Sequence, residues 1–421
     1  MSRVVIVGGG FAGVWSAAAA ARLRDEAGTA ADDLEIMLIA PGPDMVIRPR
    51  LYEADPGKRR VELARILGPI DVDHLPATVT GIDPVRRELT AVTADGHHSI
   101  ELFDRVIVAA GSQLRRPDAH LPQKQRLFDV DTLPAAVALD EHLHTLPEQS
   151  ASPGRFTAVV IGAGFVGLEI ATELVGRLRE IARPCGAVEE VRVVLVERAS
   201  DIGPELGVGP RPVILQALAD LKIETRTLVT VTEVAAESVM LSDSTVIDAR
   251  TVVWTAGMSA NPLTASLAVA HDALGRLPVD HTLRVSGEHT QAVFAAGDTA
   301  AALVDPQHHT LQSCQHAHVM GRFAGHNAVA DLLGLPLADF DPAPYVTCLD
   351  LGGAGAIFTE GWERTVRLTG EPAKGLKREI NHLIRPPLDD RNIILGAADY
   401  RTVARGPGPR TTDEPQLSPA R

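Results

Sequence analysis

The chain has 421 residues, 45% hydrophobic and 22% charged, an ordinary globular composition at a length that fits two or three domains. Its net charge of −14 argues against a nucleic-acid partner, which would need a basic stripe to displace counterions. No apolar run reaches the roughly 18 residues of a membrane span, and three scattered cysteines, Cys185, Cys314 and Cys348, offer no disulfide framework and point to a reducing compartment. The chain opens directly on a strand and leaves no room for a secretory leader, so a cytoplasmic location is expected.

The first predicted element is the apolar strand Arg3-Val4-Val5-Ile6-Val7, which runs into Gly8-Gly9-Gly10-Phe11-Ala12-Gly13 and then a helix-forming stretch over 14–24. In a dinucleotide fingerprint the first glycine permits the tight turn and the second lets backbone approach a pyrophosphate. The third lets helix pack on strand, with the helix N-terminus facing the anion. The next strand, Leu34-Glu35-Ile36-Met37-Leu38-Ile39, ends at Ala40, so no carboxylate stands where the adenosine ribose is expected. A buried-type strand, Arg105-Val106-Ile107-Val108, then closes on Ala109-Ala110-Gly111. A helix is predicted over 133–146, and the proline- and glycine-containing stretch 147–154 reads as a domain junction.

The same pattern then repeats. Thr157-Ala158-Val159-Val160-Ile161 runs into Gly162-Ala163-Gly164-Phe165-Val166-Gly167, 154 residues after the first copy, with a helix predicted over 168–181. The strand Val191-Arg192-Val193-Val194-Leu195-Val196-Glu197 ends on a carboxylate, 35 residues after Gly162, with 183–190 as an insertion. Glu197 there would accept ribose hydroxyls and favour NADH over NADPH, although Arg198 beside it blunts the preference. A strand over 251–254 closes on Thr255-Ala256-Gly257, and Ala292-Val293-Phe294-Ala295-Ala296 ends at a Gly297-Asp298 turn. A helix over 313–333 follows, then the strand-like 345–349 and a helix over 371–385. Its apolar positions are Leu376, Ile380, Leu383 and Ile384, with Lys374, Lys377, Arg378 and Arg385 on other faces. Packing on the protein is favoured over docking on an anionic membrane. The tail 406–421 lacks apolar periodicity and is expected to be disordered.

Two fingerprints, two strands closing on Ala-Gly and the late Gly297-Asp298 turn together resemble the two-dinucleotide-binding-domain flavoproteins of the pyridine nucleotide-disulfide oxidoreductase superfamily. The resemblance implies an α/β fold in which an NADH domain is inserted in an FAD domain, followed by a C-terminal domain. The expected units are FAD-binding 1–150 and 286–335, NADH-binding 151–285 and C-terminal 336–405. Within the superfamily, Gly162 through Glu169, Ile170-Ala171-Thr172-Glu173-Leu174 and Cys314-Gln315-His316-Ala317-His318-Val319-Met320-Gly321 most resemble type II NADH dehydrogenases.

That likeness assigns catalytic roles to Glu169, near nicotinamide and flavin, and to Gln315. Cofactor contacts fall on Gly8, Gly10, Phe11, Ala12, Gly13, Val79, Ala110, Gly111, Gly162, Gly164, Phe165, Gly167, Glu197, Gly257, Gly297, Asp298, Gln315 and Ala317. The family's segment Ala-Gln-x-Ala-x-Gln-Gln-Gly keeps Gln315 and Ala317, but Val319-Met320 replace its later glutamines. The implied reaction is oxidation of NADH through FAD with electrons passed to a second acceptor, first choice a quinone. The alternatives are a soluble NAD(P)H-dependent flavin oxidoreductase with a small-molecule or redox-protein acceptor, or a slow-turnover NADH-sensing flavoprotein. A weak peripheral membrane contact and a homodimer stay open. Cys185 and Cys348 are read as structural, and Cys314 as packing near the flavin. Cys314, His316 and His318 are not expected to hold a metal, because only the first and last share a helix face. His97-His98 and His308-His309 are read as solvated.

Overall fold

The computed structural model describes residues 2–116 and 127–402; the expected disordered tail over 406–421 lies outside the described residues. In the first unit β1 (Ser2–Val7) leads through α1 (Phe11–Glu26) to β2 (Leu34–Ile39), β3 (Asp73–Leu75) and β4 (Arg105–Val108). The second unit repeats this with β5 (Thr157–Ile161), α2 (Phe165–Ala182), β6 (Arg192–Val196), β7 (Glu224–Arg226) and β8 (Thr251–Trp254). The chain then adds β9 (Val293–Ala295) and α3 (Cys314–Leu333), followed by β10 (Val346–Asp350), β11 (Ala356–Glu360), β12 (Thr365–Thr369) and α4 (Gly370–Leu383).

Near-continuous aliphatic runs explain why both central sheets are parallel, since such strands are buried on both faces by crossing helices. Val4, Val5 and Ile6 in β1 and Val159 and Val160 in β5 have no solvent exposure. The first sheet has the order β9-β4-β1-β2-β3 and the second β8-β5-β6-β7, so the two units share one topology. The extra edge strand β9 returns to the first sheet after the whole second unit has been built. It carries the Gly297-Asp298 turn to the end of β4, where β1 also ends.

The helix after β9 is fixed by glycines. An ideal Cβ on Gly321 of α3 would lie 2.4 Å from the Ala12 carbonyl oxygen, and one on Gly325 would lie 2.1 Å from that of Ser16. Only hydrogen fits at these points, so α3 crosses α1 backbone to backbone along the small face Ala12, Ser16 and Ala20. That contact holds Cys314 through Ala317 over the first fingerprint. Gly297 (φ 72°) is wedged beside it, its ideal Cβ 2.8 Å from Ala12 Cβ and 3.4 Å from Ala317 Cβ.

The C-terminal strands form an antiparallel sheet, β10-β11-β12, covered by α4. Here the structure corrects the predicted faces. The buried stripe of α4 is Ala373, Lys377 and Asn381, spaced by four, with Ile384 just beyond; Leu383 is exposed. Lys377 is turned inward because a carboxylate waits for it. His308 also departs from its solvated reading, since its Nδ1 meets Asp305 at 2.8 Å and its ring stacks on Trp362 at 4.2 Å.

Gly325→Ala is expected to destabilise the protein by about 1 to 3 kcal/mol, the usual cost of overpacking, because the added methyl meets main chain that has no room to retreat. Denaturant unfolding of parent and variant measures it. Unchanged stability would mean that α1 and α3 do not cross this closely.

Candidate active site

Both fingerprints open onto one continuous cavity of about 2290 Å³. At its first end Gly8 turns with φ 117° against the Ala109 carbonyl, and Gly13 leaves α1 only the space of a hydrogen above Gly8. Nothing lies within 4 Å of an ideal Cβ on Gly10, so this face of the turn is open. Phe11, Ala12, Val79, Ala110, Gly111, Gly297, Asp298 and Ala317 line the same groove.

Asp298 is the anionic centre of this end. Ser112 Oγ donates to its Oδ2 at 2.6 Å, and Arg48 Nη1, 3.6 Å from the same oxygen, also donates to Ser112 at 2.9 Å. Arg48 in turn pairs with Asp131. Burial holds the Asp298 carboxyl above its ordinary range, against the pull of Ser112 and Arg48. Both of these contacts use Oδ2.

At the second end Gly162 repeats the turn with φ 102°, and Gly167 packs on the Gly162 carbonyl. Glu197 is buried at the tip of β6, where Oε2 accepts from Ala163 N at 2.8 Å and Oε1 from Ala199 N at 2.9 Å. The carboxylate thus braces the fingerprint turn, and each oxygen keeps a second lone pair. Arg198 beside it is exposed. Gly257 (φ 82°) and Trp254 close this end from β8.

Glu169, on the second turn of α2, lines the same cavity. It is 3% exposed, and its Oε1 accepts from Lys377 Nζ at 2.8 Å and from Asp350 N at 3.1 Å. Lys377 Nζ also donates to the Cys348 carbonyl at 2.7 Å. Burial raises the Glu169 carboxyl to about 7 although Lys377 pulls it down. For Lys377 burial opposes the charge, and the Glu169 carboxylate more than offsets it. The phenol of Tyr52 lies nearby, buried, pushed well up by burial and without a hydrogen-bond partner among the described residues.

The sequence matches the pyridine nucleotide-disulphide oxidoreductase family over residues 2–321. The chain belongs to that family. It is 45% identical over 409 residues to an NADH dehydrogenase-like protein of Mycobacterium tuberculosis, covering 96% of this chain and all of that one. It is 29% identical to the demethylphylloquinone reductase of Synechocystis, over 94% of each chain. Among solved structures, NDH2 from Plasmodium falciparum in complex with NADH superposes with a TM-score of 0.75 at 11% identity, covering 94% of this chain and 97% of that one. A two-domain α/β oxidoreductase that uses NAD(P)H follows from this membership.

In this family member the expected residues line the cavity except Gly13 and Gly167, which pack their helices on the Gly8 and Gly162 carbonyls instead, and two differences of detail appear. The Gln315 side chain is committed to the C-terminal strand, donating to the Pro344 carbonyl at 3.3 Å and accepting from Val346 N at 3.4 Å. Cys348 reaches the cavity wall, but its thiol is raised to about 11 by burial, and Cys314 is raised by the same cause. Neither is a ready thiolate; Cys185 is exposed on a turn after α2. Lys377, Tyr52 and Arg48 escaped sequence reading. Among them only Arg48, in Ile47-Arg48-Pro49, carries a local hint, a cation before a proline at a strand end.

Lys377→Met should make stability more sensitive to pH. A carboxyl raised above its unfolded value of about 4.3 contributes fully below that value and loses the contribution as pH climbs through the folded value, about 7 here. Without Lys377 the folded value rises further, so the loss continues past neutrality at up to about 1.4 kcal/mol per pH unit. Denaturant unfolding of variant and parent on either side of neutrality tests this; identical slopes would show that Lys377 does not hold Glu169.

Proposed function

We propose that this protein is an FAD-dependent NADH dehydrogenase whose electrons go to a quinone. The observation that carries the reading is the single cavity joining two nucleotide ends and lined by the buried Glu169–Lys377 pair. On this reading residues 1–150 and 286–335 belong to the FAD unit, 151–285 to the NADH unit and 336–405 to a C-terminal domain. FAD, when bound, supplies the two-electron chemistry between nicotinamide and the acceptor.

The first end fits FAD. The open face of Gly10 offers the α1 N-terminus to a pyrophosphate, and Asp298 beside Ser112 and Arg48 suits the ribityl chain. The second end fits NADH, because the Glu197 carboxylate stands where a 2′-phosphate would bring like charge. Glu169, with a carboxyl near 7, can hold or release a proton at Oε2 at physiological pH, while Lys377 and Asp350 N hold its Oε1 in place. Val319, Ile380 and Ile384 give the cavity an apolar wall suited to a quinone ring, which the names of the Synechocystis relative and of the type II NADH:quinone oxidoreductases of M. tuberculosis also favour.

Asp298→Ala is expected to purify with less FAD than the parent, which the flavin-to-protein absorbance ratio reads directly. Full loading would remove Asp298 from the FAD site. Glu197→Ala should narrow the NADH-to-NADPH ratio of kcat/KM by about tenfold, one charge-assisted contact's worth. A parent that already prefers NADPH would overturn the assignment.

A further inference from the structure

The two fingerprints differ at one point that their sequences do not show. Where the Gly10 face is empty, the matching face of Gly164 is filled: an ideal Cβ there would lie 2.7 Å from Glu205 Oε1. That same oxygen accepts from Phe165 N, the first backbone N–H of α2, at 2.8 Å. Glu205 therefore holds the place that the fingerprint's second glycine keeps clear for a pyrophosphate, and makes the hydrogen bond that a phosphate oxygen would make. Its carboxylate carries the charge that the α2 N-terminus favours.

Glu205 is exposed on a short turn, Pro204–Leu206, between Gly203 (φ 61°) and Gly207 (φ 73°), two glycines in the left-handed region that can absorb backbone rotation. Leu206 is buried and anchors the turn, so the carboxylate can swing out without the segment detaching.

We infer that Glu205 is an internal competitor for the nucleotide pyrophosphate, leaving α2 when NADH enters and returning as the oxidised nucleotide departs. This rests on the reading of the second end as the NADH site. The contrast between the units then has a use: the open first end retains its cofactor, and the self-occupied second end exchanges its nucleotide. Binding is weakened by the cost of displacing a well-placed anion, and release is assisted by the same amount.

The test is binding of ADP-ribose and of adenosine to the FAD-loaded protein, in parent, Glu205→Gln and Glu205→Ala. Removing one charge at a helix N-terminus should tighten ADP-ribose about three- to tenfold, and lower the KM for NADH in parallel. Adenosine, which has no phosphate to compete, should bind alike in all three. Unchanged or weaker ADP-ribose binding in FAD-loaded variants overturns the inference, as does an equal gain for adenosine, which would make the effect one of shape. Failure of NADH and ADP-ribose to bind parent and variants alike would instead overturn the nucleotide reading of the second end, and this inference with it.

Discussion

One buried ion pair, Glu169 with Lys377, ties the second unit to the C-terminal sheet and helix on the wall of the shared cavity. Removing two charges from water is expensive, and their attraction repays it only when the remaining polar atoms are also satisfied. Here Asp350 N also donates to the carboxylate, and the Cys348 carbonyl also accepts from the ammonium. Both partners come from β10, so the pair locks the C-terminal sheet as well as α4 onto α2. Part of the desolvation cost persists as a carboxyl lifted to about 7. Because a buried pair is weak support for stability in its own right, its position on the wall of the shared cavity is better explained by chemistry than by folding.

A second constraint sets the geometry that this pair completes. The bare backbone contact of α3 with α1 at Gly321 and Gly325 leaves no freedom in how the late segment lies on the first unit. Asp298, Ala317 and the first fingerprint are thereby held as one rigid surface, suited to a cofactor that stays bound. The second unit repeats the sheet order but adds carboxylates, Glu197 and Glu205, around its nucleotide end. On the inference drawn from Glu205, one duplicated architecture would serve a retaining site and an exchanging one, through side chains placed at the fingerprint rather than through the fold.

The parts legible in the sequence are those specified locally. A strand that must be buried on both faces writes itself as Val4-Val5-Ile6 or Val159-Val160-Ile161, and a turn at φ above 100° demands Gly8 and Gly162. Asp298 was readable because its strand and turn are contiguous. Contacts between distant segments were not. Lys377 lies 208 residues from Glu169, and a lysine among Lys374 and Arg378 looks like any solvated face until its partner is seen. Gln315 was read from a motif, and its motif says nothing of the strand at Val346 that takes both ends of its amide. Tyr52 and Glu205 sit in irregular segments whose course follows packing, so no periodicity pointed to them.

The central claim is that NADH reduces this protein's bound flavin and that a quinone takes the electrons on. Anaerobic rapid mixing of the FAD-loaded protein with NADH, followed by a second mixing with a short-chain menaquinone or with aerated buffer, measures both halves through the flavin absorbance. The account predicts prompt bleaching by NADH and a return of the oxidised spectrum faster with the quinone than with oxygen. Absence of bleaching, or a recovery no faster with quinone than with oxygen, would contradict it.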